Sequence, residues 1–337
     1  MTDAYRQIID TLARCKRVLV TTHVRPDGDA LGSTAAMVMG LKKKGIDAEV
    51  LLLSHLPRKY AFIYEEYAIP FIDVERGFPP TFSLDSYDAL LVIDTGTWSQ
   101  LPGLEPYVAR FTKPKLVIDH HLTQQDWADT KLVVTEAAAA GEIVFEVLEQ
   151  WDIELDAPMA TALFLAICTD TGWFQFSNTR PFTMHLAAEL MEAGVDTDRM
   201  YQLLYQNERA ERVALQTRAL QSLQLLAGGK LAVMRVTRDD FSTSKAGVPD
   251  TENLINIPLQ IRAVEVSLLF TEPLDDGPVR VSLRSKGQVD VAKFAEQFGG
   301  GGHARASGLK VDGKFGEVLD QVVTAMVQRL AEQAVAS

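Results

Sequence analysis

The sequence has little cysteine, no long apolar run and a deficit of positive charge. The only two cysteines, Cys15 and Cys168, exclude a disulfide-stapled scaffold and match no zinc or redox spacing. Each lies in an apolar-periodic stretch, where a buried free thiol is expected. No run approaches the ~20 apolar residues that span a bilayer. The opening MTDAYRQIIDTLARCKR is charged throughout and lacks the apolar centre of a signal peptide. A cytoplasmic protein without membrane contact is therefore expected. Lys and Arg number 33 against 45 Asp and Glu, a formal net charge of −12. That balance argues against a protein that coats long nucleic acid, which shows a basic footprint. A small anionic substrate stays open, because metal ions and local cations bind phosphate inside an acidic protein.

What is present is ordinary globular material, 47% hydrophobic over 337 residues, enough for two domains. Short β-branched runs alternate with helical patterns. Strands are predicted at 18–22, 50–53, 89–93 and 116–118. Helices are predicted at 30–44, 138–150, 158–167 and 181–193, the first stopped by Gly45. The alternation implies an α/β domain over 1–195, with a mostly parallel sheet and helices on both faces. A helical connector rich in Gln, Arg and Leu is expected over 196–228, ending at Gly228-Gly229. A smaller α/β domain follows over 229–334. Its strands are expected at 231–236, 264–270, 279–283 and near 307–311, with helices at 291–297 and 315–332.

Four polar motifs share one placement, at the end of a predicted strand or where a helix meets a turn. They are His23-Val-Arg-Pro-Asp27-Gly-Asp29, Asp94 after LLVI, Asp119-His120-His121 after KLVI, and Asp170 in Cys-Thr-Asp-Thr-Gly. In open parallel sheets the ligand crevice lies beyond the carboxyl ends of the strands, so side chains far apart in sequence converge there. Carboxylates mixed with imidazoles suit Mn²⁺ first and the oxygen-preferring Mg²⁺ second. Two such cations, about 3.5–4 Å apart, activate a water and stabilise an in-line displacement at phosphorus. One carboxylate must bridge them, and Asp94, alone in its motif, is the candidate. Gly28 and Gly32 would relieve crowding where the loop folds around the ions. A plainer reading stands beside this one: a lone aspartate at a strand end is commonly a cap, and Asp29 could cap the helix beginning at Ala30. Capping alone explains poorly why four strong β-runs or helices end in such residues. His55 and His185 have no partner pattern and are expected outside any site.

The second domain carries Gly299-Gly300-Gly301-Gly302-His303-Ala304-Arg305. A glycine-rich loop exposes backbone N–H groups that can cradle phosphate, although flexible surface loops look alike. Arg284 and Ser285 end a strand that could face it, and Arg262 precedes another. Arginine grips phosphate with two hydrogen bonds or stacks on a base, and a solvated surface arginine is the alternative for each.

Taken in order, HVRPDGDALGS, VIDTGT, VIDHH, TDTGWFQFSNT and GGGGHARASG closely resemble the motifs of the DHH/DHHA1 phosphoesterase family over nearly the whole chain. In length and in the wording of TDTGWFQFSNT the resemblance is nearest to the NrnA-type branch. It implies hydrolysis of oligoribonucleotides of a few residues and removal of the 3′-phosphate of 3′-phosphoadenosine 5′-phosphate (pAp). It further implies one metal on His23, Asp27 and Asp94, and a second on Asp29, Asp94, His120 and Asp170. His121 is implied beside the site, either near the scissile phosphate or as a support behind the metal ligands. Arg262, Arg284, Ser285, His303, Arg305 and the amides of Gly300, Gly301 and Gly302 are implied to hold substrate. A homodimer is common among members. Cyclic or linear dinucleotide phosphodiesterases share both domains, and a binding protein without catalysis would need a ligand position lost. Thr95-Gly96-Thr97 departs from the family pattern, in which a second acidic residue often follows the first.

Overall fold

The computed structural model describes residues 3–336. It falls into two compact units, Met1–Asn207 and Glu208–Ser337. Among the described residues no helix is long and apolar enough to cross a membrane.

The first unit is built on six parallel strands, β1 (Arg17–Thr21), β2 (Asp47–Leu52), β3 (Phe71–Asp73), β4 (Ala89–Ile93), β5 (Lys115–Asp119) and β6 (Thr130–Val133). Their order is β3-β2-β1-β4-β5-β6. The strand order reverses between β1 and β4, which pair parallel from Val18 opposite Ala89 to Thr21 opposite Val92. In sheets of this order, ligands bind at that switch point. β4 is five consecutive buried apolar residues, the pattern of a strand covered on both faces. One face is covered by α1 (Asp3–Leu12), α2 (Gly28–Lys43), α3 (Ala61–Glu66), α5 (Ala140–Gln150), α6 (Ala157–Asp170), α7 (Pro181–Glu192) and α8 (Thr197–Tyr205). The other face carries the short α4 (Glu105–Val108) and the segment around Val74, Leu84 and Tyr87.

The centre of the unit is α2, buried from Gly28 to Val38. Its glycines serve helix packing, which corrects the expectation that they relax a loop around ions. A Cβ on Gly32 would stand 2.3 Å from the Ala162 carbonyl oxygen and 2.9 Å from the Ala166 nitrogen, both backbone atoms of α6. A Cβ on Gly28 would meet the Thr169 side chain at 2.4 Å. Backbone cannot step aside as a side chain can, so Gly32→Ala is expected to destabilise the unit by about 1–3 kcal/mol. Urea unfolding checks this, and an unchanged midpoint would show that the helices separate freely.

In the second unit the strands are β7 (Gln224–Leu226), β8 (Leu231–Val236), β9 (Val266–Thr271), β10 (Val279–Ser285), β11 (Gly301–His303) and β12 (Ala306–Val311). They form one mixed sheet in the order β11-β12-β10-β9-β8-β7, with β8 and β9 parallel. α11 (Val291–Glu296) and α12 (Phe315–Ala336) pack on one face, and α9 (Ala210–Gln221) and α10 (Arg238–Ser244) on the other. The stretch expected as one helical connector is two helices. Met200 and Leu204 of α8 join the first unit's core, whereas Leu215 and Ala219 of α9 join the second's.

Candidate metal centre

Each polar motif is positioned by the element it ends. His23 follows β1, Asp94 follows β4, and Asp119 is the last residue of β5 with His120 and His121 directly beyond. Asp27 is the N-cap of α2, where its Oδ1 accepts from the Ala30 amide at 3.1 Å. Asp29 lies in the first turn of α2, and Asp170 is the last residue of α6. These elements bring His23, Asp27, Asp29, Asp94, His120, His121 and Asp170 into one cluster.

Three sets of ligand atoms within it lie within 4.8 Å of one another: His23, Asp27 and Asp94; Asp29, His120 and Asp170; and Asp94, His120 and His121. Asp94 stands between them. Its Oδ2 is 3.4 Å from His23 Nε2, and its Oδ1 is 3.4 Å from His120 Nε2 and 3.6 Å from His121 Nδ1. Asp94 is 3% exposed, and its buried Oδ1 accepts no hydrogen bond. A buried carboxylate oxygen without a donor is costly unless a cation meets it. The residue is held at φ +66°, a left-handed conformation that aspartate tolerates better than most residues.

The imidazoles are oriented by their far nitrogens. His23 Nδ1 lies 3.1 Å from the Val24 carbonyl, and His120 Nδ1 lies 3.2 Å from the Ala137 carbonyl. A carbonyl oxygen only accepts, so each Nδ1 carries the hydrogen and each Nε2 faces the cluster, as metal-binding histidines require. His121 differs: its Nδ1 is 2.9 Å from Oδ1 of the fully buried Asp119. Asp119 also accepts from the amides of His120 and His121 and from Gln124 Nε2 at 2.5 Å. Asp119 is thus a support rather than a ligand, a role its motif did not disclose.

The sequence pattern of the DHH family, N-terminal domain, matches residues 17–167, and that of the DHHA1 domain matches residues 228–332. The bifunctional oligoribonuclease and PAP phosphatase NrnA of Thermus thermophilus is 30% identical over 326 residues, covering 94% of this chain and 90% of that one. The chain belongs to the DHH family of phosphoesterases. The protein of the same name from Bacillus subtilis is 25% identical over 311 residues, 90% of this chain and 92% of its relative. A solved exopolyphosphatase-related protein from Bacteroides fragilis has the same fold, with a TM-score of 0.82 at 22% identity over 98% of both chains. The family and the α/β fold expected from the motifs are both borne out.

In this DHH unit Asp29 does not cap its own helix. Its two oxygens accept from the amides of Ala140 at 2.6 Å and Gly141 at 3.0 Å, the first turn of α5, and from Ser33 Oγ at 2.9 Å. The positive end of α5 thus steadies a carboxylate that is 1% exposed. The same turn holds His120 through the Ala137 carbonyl. It is itself fixed by the buried Glu142, which accepts from the Ala138 amide at 2.9 Å, from Thr183 Oγ1 at 2.5 Å and from Arg180. Asn178 Nδ2 donates to the carbonyls of Ala138 and Asp170 at 3.0 and 3.2 Å. None of Glu142, Asn178 and Arg180 was legible as a support, because Asn178 acts on a carbonyl, and Arg180 on the Glu142 carboxylate, about forty positions away. His55 pairs with Asp73 and His185 is exposed, both away from the cluster.

Four carboxylates around two imidazoles distort every titration. Burial works to lower His23 and His120, but the surrounding aspartates outweigh it and push each up to about 10. Burial and neighbouring carboxylates raise Asp29 well above the ordinary range, and burial leads in lifting Asp170 to about 6. In the metal-free chain the histidines' contribution to stability is complete below their unfolded value of about 6.5 and is lost as pH climbs towards 10. Asp29 and Asp170 act in the same sense, since ionising a raised carboxyl costs stability. Asp27 and Asp119, held below the ordinary range by their hydrogen bonds against the cost of desolvation, are ionised between pH 6 and pH 8 and do not change. A divalent cation replaces the protons that the cluster otherwise retains. The rise in melting temperature on adding Mn²⁺ should therefore be larger at pH 8 than at pH 6. Calorimetry at both values checks this, and an equal or smaller rise at pH 8 would contradict it.

In the DHHA1 unit the glycine run is not a free loop. Gly301–His303 is strand β11, paired antiparallel with β12 in a hairpin closed by Ala304-Arg305. Gly300 is required because a Cβ would stand 2.4 Å from the Gly308 carbonyl oxygen, and Gly302 because it is at φ +143° against the Ala306 carbonyl. The register sets Arg284, Ala306 and His303 in one row across β10, β12 and β11. Residues directly opposite share a face, so the half-buried Arg284 and the exposed His303 flank a small alanine. Desolvation lowers the Arg284 guanidinium, and among the described residues it has no carboxylate partner. Arg305 lies against Gly287, and Arg262 is exposed. Ser285 is 6% exposed and its Oγ donates to the Val289 carbonyl at 2.7 Å, so its hydroxyl is spent inside the unit.

Proposed function

We propose that the chain is a two-metal phosphoesterase of the cytoplasm that cuts oligoribonucleotides of a few residues into mononucleotides and removes the 3′-phosphate of pAp. The observation that carries this reading is the pair of Asp94 oxygens, one facing His23 and the other facing His120. The relatives' printed names supply the substrate class.

His23, Asp27 and Asp94 hold one cation, and Asp29, Asp94, His120 and Asp170 the other. When bound, the two divalent ions, Mn²⁺ before Mg²⁺, supply Lewis-acid charge to the phosphoryl oxygens and acidify the attacking water. The orphaned Asp94 oxygen and the mixed nitrogen and oxygen donor set fit them. His121, anchored by Asp119 through Nδ1, has Nε2 free to donate to a phosphoryl or leaving oxygen. Arg262, Arg284, His303, Arg305 and the amides of Gly300, Gly301 and Gly302 bind substrate phosphate or base in the DHHA1 unit. The row shared by Arg284 and His303 supports that assignment, and the engaged hydroxyl of Ser285 limits that residue to shaping the turn.

The test is a turnover comparison in Mn²⁺ among pAp, a diribonucleotide, a cyclic dinucleotide and pyrophosphate. The expected result is turnover of the first two in preference to the others. Preference for the cyclic dinucleotide or activity on pyrophosphate alone would replace this substrate assignment.

A further inference from the structure

The segment after Asp170 is sharply bent. Gly172, Trp173 and Phe174 are three consecutive left-handed residues, at φ +56°, +59° and +63°. Side-chain-bearing residues persist in that conformation only where the surroundings over-determine it, and such strain gathers at ligand sites. The bend is locked by the amides of Gln175 and Phe176, which donate to the Thr171 carbonyl at 2.9 and 3.0 Å. It returns to the metal cluster through Asn178, which donates to the Asp170 carbonyl at 3.2 Å.

The three aromatic residues of the bend have different fates. Trp173 and Phe174 turn inward and pack edge-on against Phe164, with ring centroids 6.0 and 5.8 Å away. Phe176 stays 58% exposed. Its ring lies on the backbone of Gly172, where an added Cβ would come within 2.4–2.6 Å of ring carbons. A single exposed phenylalanine is unremarkable on most surfaces. This one is seated on a glycine that lacks room for any side chain, beside a residue of the cluster, with a face open to solvent.

We propose that the Phe176 ring is the stacking platform for a nucleobase of the substrate, that of the nucleotide whose phosphate reaches Asp170 and its neighbours. The proposal rests on the phosphoesterase reading above and adds the group that recognises the nucleoside. An aromatic face accepts any base, because every base has a π-face, so the platform fits an enzyme that must clear RNA fragments of any sequence.

The experiment pairs pAp with its abasic counterpart, 1-deoxyribose 3,5-bisphosphate, and follows phosphate release in Mn²⁺. Phe176→Ala should raise KM for pAp about 10-fold, within the range that base–aromatic stacking supplies. It should leave kcat nearly unchanged and KM for the abasic compound unaltered. Phe176→Leu keeps an apolar cover on Gly172 without a π-face and should match Phe176→Ala in KM while melting like the parent. Phe176→Tyr should restore the parent KM. Equal losses on both compounds, or no loss on pAp, overturn the platform while leaving the phosphoesterase reading intact. Failure of the parent enzyme to release phosphate from either compound overturns that reading and the platform with it.

Discussion

Replacing Asp94 with asparagine should stop turnover and leave the protein folded. The expected loss in kcat is at least about 10³-fold, beyond the removal of one oxyanion-hole donor, because the change affects two ion sites at once. An amide presents one oxygen instead of two, so it cannot meet both His23's ion and His120's. Asparagine tolerates the left-handed backbone that Asp94 adopts at φ +66°. Removing a negative charge beside Asp29 and Asp170 also relieves repulsion in the metal-free chain. It also takes away the shared partner of His23 and His120, which opposes that relief, so the metal-free variant should stay folded yet gain less from Mn²⁺. Steady-state kinetics and calorimetry on the same preparation read both effects, and turnover within ten-fold of the parent (about 1.4 kcal/mol of barrier) would remove Asp94 from the bridging position.

The second large effect belongs to His121. His121→Ala should lower kcat by about 10²- to 10⁴-fold, as expected for a proton donor, and leave metal stoichiometry unchanged. Asp119→Asn addresses the same group indirectly. The hydrogen bond that His121 donates to Asp119 is the main cause that raises its imidazole above the usual value. Without that carboxylate the imidazole surrenders its proton earlier, so the alkaline limb of the kcat profile moves to lower pH. With the amide oxygen kept on the three donors of Oδ1, the variant also places its NH₂ against Gln124 Nε2 and should lose about 1–3 kcal/mol of stability. A His121→Ala enzyme with parental kcat, or an unshifted Asp119→Asn profile, would leave His121 outside the chemistry.

What the sequence made legible was the meeting place, because strand-ending polar residues in a parallel sheet have one crevice to enter. β1, β4 and β5 read plainly as β-branched or leucine-rich runs, and each is followed within two residues by a member of the cluster. β6 and β3 were not read, being short and carrying Thr, Lys and Asp among few apolar residues. Less legible was everything decided by long-range backbone contacts. Asp29, for which capping its own helix was the plain alternative to binding a metal, binds the start of α5, over a hundred positions along the chain. Gly32 looked like loop chemistry and is a helix contact against Ala162 and Ala166. The glycine run looked like a phosphate cradle, and half of it is the edge strand β11, whose pairing leaves no room for side chains at Gly300 and Gly302. Ser285 illustrates the same limit, since nothing near it in sequence announces that Val289 takes its hydroxyl.

Diffraction from crystals grown in Mn²⁺, at a wavelength that excites manganese, tests the bridging carboxylate most directly. Two anomalous peaks about 3.5–4 Å apart, with one Asp94 oxygen on each, are the outcome the ligand geometry predicts. A single peak, or two peaks that Asp94 does not join, would contradict it.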